Sequence, residues 1–205
     1  MQIEHPKLVL TRIAYSWAWM RSDLLVRLLP FAAAYALAYG VTSGAPWLGW
    51  SAGDLGPQLL FAAVAAPPMF IASTAAQLWL TRRRGVLLVP SGPGDAWFQA
   101  AFYTLNGPVE EAFFRGLMQG GLATVWGTPA AFAVATLIYV VYHRLGRWTW
   151  PDTLATALVG VPLGLAFWLL PGPPSLLGVS IAHIAATCGF LGPGPYLLRK
   201  LHLLG

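Results

Sequence analysis

The chain has 205 residues, of which 57% are hydrophobic and only 9% charged, with a mean hydropathy of +0.63. Soluble domains carry about 25% charged residues, so this composition excludes an ordinary water-soluble globule. The net charge of +5 does not point to nucleic acid, because the bases stand singly or in short clusters at the ends of apolar runs.

The apolar residues come in runs, not in the alternating ten-residue segments of a membrane barrel. The reading is therefore all-α: a polytopic membrane helix bundle. The opening MQIEHPK lacks the short apolar core and small-residue cleavage site of a signal peptide, so no cleaved leader is expected. Residues 8–21 mix aromatics with bases and predict an interfacial helix. Spans follow at 24–43, 58–80, 96–125, 129–143, 153–170 and 174–191, about six in all, before a basic tail with Arg199 and Lys200. The Pro67-Pro68 pair is expected to kink the second span. No linker or charge run divides the chain, so residues 1–205 form one integral membrane domain.

With the N-terminus inside, Lys7, Arg12, Arg21, Arg82, Arg83, Arg84, Arg144, Arg147, Arg199 and Lys200 all fall on the cytoplasmic side. Both termini are then cytoplasmic, and only Arg27 and Arg115 remain within spans. Small-xxx-small spacings at Gly116/Gly120 and Gly160/Gly164 suit close helix approach. No internal repeat is evident, which counts against an inverted-repeat transporter. The lone Cys188 excludes an internal disulfide and a paired-cysteine metal or redox motif.

An ionisable side chain in a span costs at least about 2.5–3.5 kcal/mol on insertion scales, so the few present mark candidate chemistry. They are Glu110, Glu111 and Arg115 on the third span, His143 at the end of the fourth and His183 on the sixth. Glu111 and Arg115 are spaced i,i+4 with the acid N-terminal, the favourable order for an intrahelical ion pair. Glu110, rotated by about 100°, is left as the carboxylate without a cationic partner, tuned by burial. Asn106-Gly107-Pro108 just upstream is expected to start or break the helix beside a water-filled cavity. A carboxylate and an imidazole sharing a water, with a second imidazole facing a developing oxyanion, are the parts of a hydrolytic site. The blander readings are an interfacial His143, a packed His183 and a Thr187 bonded back to its own helix. Metal binding by Glu110, His143 and His183 is a competing chemistry, although neither HExxH nor a helical Glu-x-x-His is present.

Glu110-Glu111-(x3)-Arg115, Tyr139-(x3)-His143 and His183-(x3)-Thr187 together resemble the EExxxR, FxxxH and HxxxN series of the CPBP family. That family comprises CAAX-type prenyl-protein endopeptidases and bacteriocin-processing or Abi membrane proteins. The resemblance covers residues 106–187 in order. It implies an intramembrane endopeptidase that works without metal or other cofactor. In that scheme Glu110 and His143 activate the water, His183 and Thr187 face the oxyanion, and Glu111, Arg115 and Tyr139 support them. Tyr139 replaces Phe and keeps an aromatic ring, whereas Thr187 replaces Asn with a shorter hydroxyl. The implied partners are the lipid bilayer and a peptide or lipid-associated protein substrate, with no nucleic acid, in a bacterial or archaeal cell membrane. The alternative is a member with little or no turnover that binds a membrane peptide as an immunity or scaffold protein.

Overall fold

The computed structural model describes residues 7–146 and 148–204. Arg147, one of the bases used to orient the spans, and most of the polar opening (residues 1–6) lie outside them. Helix accounts for 79% of the described residues, which bears out the all-α membrane class. Four helical stretches are long and apolar enough to cross a membrane: Ile13–Val41, Leu55–Arg84, Thr128–Gly146 and Trp150–Leu169. A fifth is reached if Leu177–Phe190 and Pro193–Lys200, bent by 46° at their junction, count as one span. The expected number of six is not confirmed. By length and composition these spans suit an integral membrane protein.

The first span absorbs most of the segment expected to be interfacial. Strand β1 (Lys7–Thr11) leads into α1 (Ile13–Asp23), a π-helical stretch Leu24–Leu28 and α2 (Leu29–Val41). Its outer face suits lipid: Leu25 is 58% and Val26 77% exposed. Helix α3 (Leu55–Arg84) runs through Pro67 and Pro68 as one helix and ends at Gly85, whose φ of +73° glycine adopts readily. Strand β2 (Val86–Pro90) then pairs in parallel with β1, in the register Lys7↔Val86 to Thr11↔Pro90. The ladder was not predicted, because an apolar run of five residues does not tell strand from helix.

The next helix carries the acids. It runs as α4 (Pro93–Glu111), a nine-residue π-helical stretch Ala112–Gly120 and α5 (Gly121–Trp126). The expected break at Asn106-Gly107-Pro108 does not occur, and Pro108 sits inside α4. Gly107 serves packing instead, since a Cβ there would lie 2.9 Å from Ile184 Cγ1 on the helix opposite. This long helix is not among the candidate spans, because its interior face is polar. Asp95, Gln99, Asn106, Glu110, Glu111, Arg115 and Gln119 are all buried along it.

After a turn at Gly127, α6 (Thr128–Tyr142) ends in a 3-10 turn at His143–Gly146. Then come α7 (Trp150–Ala155), α8 (Ala157–Leu169), α9 (Leu177–Phe190) and α10 (Pro193–Lys200). Helix α9 lies between α3 and α4. Both small-residue pairs make close approaches. A Cβ at Gly116 would meet Leu48 O at 2.5 Å, and one at Gly120 would run into Trp47 O. Those at Gly160 and Gly164 would press on Tyr139 and Phe132 at 2.7 and 2.9 Å.

Candidate active site

Gly107 lets α4 approach α9 beside Ser180 and Ile184, and one turn further along α4 the acid pair reaches His183. Glu110 is 3% exposed, Glu111 and Arg115 0%, and His183 3%. His183 Nδ1 lies 2.7 Å from Glu111 Oε1, and since a carboxylate only accepts, Nδ1–H donates. His183 Nε2 lies 3.6 Å from Glu110 Oε2 and 3.5 Å from the Tyr139 hydroxyl. One imidazole thus stands between two carboxylates.

Arg115 is held on several sides. Its Nε is 3.3 Å from Glu111 Oε2, an ion pair by distance in which neither atom is aligned for a hydrogen bond. Its Nη2 donates to Gly160 O at 2.9 Å and its Nη1 to Thr136 Oγ1 at 3.3 Å. The guanidinium also faces the Tyr139 ring at 5.1 Å. Gly160 and Gly164 leave the room for it, since a Cβ at Gly164 would lie 3.1 Å from Nη1. The expected Glu111–Arg115 pairing is therefore present as part of a larger clamp.

Glu110 corrects one sequence-based expectation: it is not left without a cation. Arg27, from the first span, donates Nη1 to Glu110 Oε1, and the Tyr142 hydroxyl donates to the same oxygen at 3.0 Å. Arg27 Nη1 also donates to the Tyr142 hydroxyl at 2.7 Å, while Asp23 receives Nε at 2.6 Å and Nη2 at 2.5 Å. A helix-local search misses this pair because its members are 83 positions apart. The missed signal is Arg27 itself: a guanidinium inside a span needs an anionic partner, and Glu110 was the carboxylate left over.

The two oxygens of Glu110 are therefore differently engaged. Oε1 is anchored by Arg27 and Tyr142, and Oε2 faces His183.

His143 is connected through aromatic packing. Its ring lies 5.0 Å from that of Tyr139, 4.5 Å from that of Tyr142 and 5.1 Å from that of Trp148. Its Nδ1 is 2.7 Å from Tyr139 O; a carbonyl only accepts, so Nδ1 carries the hydrogen and Nε2 is the acceptor of the neutral ring. Thr187, one turn beyond His183, is half-buried, and among the described residues its side chain makes no hydrogen bond to this cluster. The structure thus brings together Glu110, Glu111, Arg115, Tyr139 and His183 and sets His143 beside Tyr139 and Tyr142. Among the described residues no three His, Cys, Asp or Glu side chains are grouped so as to hold a metal ion.

Fold and cluster define a helical membrane protein with buried, cross-linked carboxylates and an imidazole at its centre. Residues 92–188, which carry all three motifs, match the family model described as type II CAAX prenyl endopeptidase Rce1-like, in keeping with the CPBP resemblance. The match points to a membrane protease of CAAX type. No curated protein and no solved structure matches the chain.

Proposed function

We propose that this protein hydrolyses a peptide bond of a membrane-associated protein or peptide, using water activated by Glu110 with histidine assistance and no metal. The observation that carries the reading is the division of the Glu110 carboxylate. Oε1 is held by Arg27 and Tyr142, so Oε2 is turned to His183 Nε2 at a separation beyond a direct hydrogen bond. A water taken up against Oε2 attacks the scissile carbonyl carbon, and the proton it loses passes to Glu110. As the carbon–nitrogen bond breaks, that proton goes to the leaving amine. Glu111 orients His183 by accepting its Nδ1–H, and His143, with Nε2 as acceptor, shares the proton traffic. Arg115 keeps Glu111 in place.

The test is cleavage of an internally quenched peptide ending in a CAAX sequence, prenylated and unprenylated, by the purified full chain. Wild type is expected to cut at least one form, and Glu110→Ala neither; equal rates for wild type, Glu110→Ala and His143→Ala would end the catalytic reading. The second reading is a peptide-binding member with little turnover. It draws on Thr187, whose short hydroxyl stands where the family motif has Asn and, among the described residues, makes no hydrogen bond to the cluster.

A further inference from the structure

We propose that Arg27 is a positioning residue for Glu110, set by Asp23 so that one oxygen of the catalytic carboxylate is held and the other is left to the water. The inference rests on the reading of Glu110 as the water-activating group. Arg27 lies outside the residues matched by the family model, 92–188, so nothing in the motif series assigns it a role.

The geometry is more specific than charge neutralisation requires. Arg27 sits in the π-helical stretch Leu24–Leu28, where its neighbours Leu25 and Val26 face outward while its own side chain turns in, 19% exposed. Such widened turns redirect side chains and are frequent at functional sites. Asp23 takes one edge of the guanidinium through Nε and Nη2, at 2.6 and 2.5 Å. Because the group is planar, fixing that edge fixes the aim of Nη1, and Nη1 is the nitrogen that meets Glu110 Oε1 and the Tyr142 hydroxyl. Tyr142 closes the arrangement by accepting from Arg27 and donating to Glu110. Rotation of the Glu110 carboxylate about its last torsion is thereby stopped with Oε2 toward His183. A lysine supplies the charge but has no fork with which to hold Asp23 and Glu110 at once.

The experiment compares Arg27→Met, Arg27→Lys, Asp23→Asn and the Arg27→Met/Asp23→Asn double variant with wild type and Glu110→Gln, all as the purified full chain. The readouts are kcat and KM on the quenched peptide, normalised to folded protein by thermal unfolding. Misplacing a catalytic group by about 1 Å lowers turnover by about 10²-fold, so Arg27→Met is expected to lose about that much in kcat with KM nearly unchanged. Asp23→Asn should lose less. The double variant should be no worse than Arg27→Met, because Asp23 acts only through Arg27, and Arg27→Lys should recover part of the rate. Wild-type kcat in Arg27→Met, with Glu110→Gln inactive, overturns the inference and leaves the base assignment standing. So do losses in the two single variants that multiply in the double. Should Arg27→Met not fold, undiminished kcat in both Arg27→Lys and Asp23→Asn overturns it equally. Wild-type turnover by Glu110→Gln instead removes the base assignment itself.

Discussion

Glu111 accepts the Nδ1–H of His183 at 2.7 Å, joining two helices through residues 72 positions apart, while its other oxygen faces Arg115 at 3.3 Å. A single carboxylate therefore balances a fully buried guanidinium and sets the orientation of the imidazole beside Glu110. Removing one partner of a buried charge pair typically costs about 3–5 kcal/mol, because the other is left uncompensated. Glu111→Ala is expected to destabilise the protein by about that amount in unfolding measurements in detergent. Glu111→Gln should cost less, since its amide oxygen still accepts from His183.

The glycines facing Arg115 make a steric prediction. An added Cβ at Gly160 would sit 2.7 Å from Tyr139 Cδ1, whereas one at Gly40 meets nothing within 4 Å. Overpacking costs about 1–3 kcal/mol, and replacing an unstrained helical glycine gains about 0.5–1 kcal/mol. Gly160→Ala should therefore lower thermal stability and, by moving Tyr139, lower turnover as well. Gly40→Ala should raise stability and leave turnover alone.

Asp95 ties the amino-terminal strand and first span to the acid-bearing helix. Its oxygens accept from Thr11 Oγ1 at 2.5 Å and Ser16 Oγ at 2.7 Å, with Gln99 Nε2 at 3.2 Å. Asp95→Ala takes the acceptor from the Thr11 and Ser16 hydroxyls, at about 1–3 kcal/mol, while Gln99 Nε2 keeps both hydroxyl oxygens as acceptors. Lower stability is expected, with turnover per folded molecule unchanged, as measured by thermal unfolding and the peptide assay together.

Thr187 tests how far the family scheme carries over. Loss of one oxyanion donor typically lowers turnover about 10²–10³-fold, so supplying the missing amide is expected to raise it. Thr187→Asn should increase kcat on the quenched peptide by about 10-fold or more. An unchanged rate would mean that this position takes no part in turnover.

What was legible in the sequence and what was not divides by the range of the interactions. Glu111 and Arg115 are one helical turn apart, so their pairing follows from spacing alone. Glu110 and His183 stand out because charged and imidazole side chains inside apolar runs are rare. The partners of Glu110 are distant: Arg27 and Tyr142 are 83 and 32 positions away, and no periodicity links them. The parallel pairing of Lys7–Thr11 with Val86–Pro90 was hidden for the same reason, with the first span and α3 intervening. Helix continuity through Pro108 also depends on tertiary packing, which here overrides local propensity: α9 presses against Gly107.

Peptide hydrolysis by Glu110→Gln decides whether Glu110 is the base, because this near-isosteric change keeps an acceptor for Arg27 and Tyr142 but removes the basic oxygen facing His183. General-base catalysis contributes about 10²–10⁴-fold, so kcat should fall by at least about 10² while the variant unfolds at nearly the wild-type temperature. A folded Glu110→Gln protein that cleaves the peptide at the wild-type rate would contradict the account.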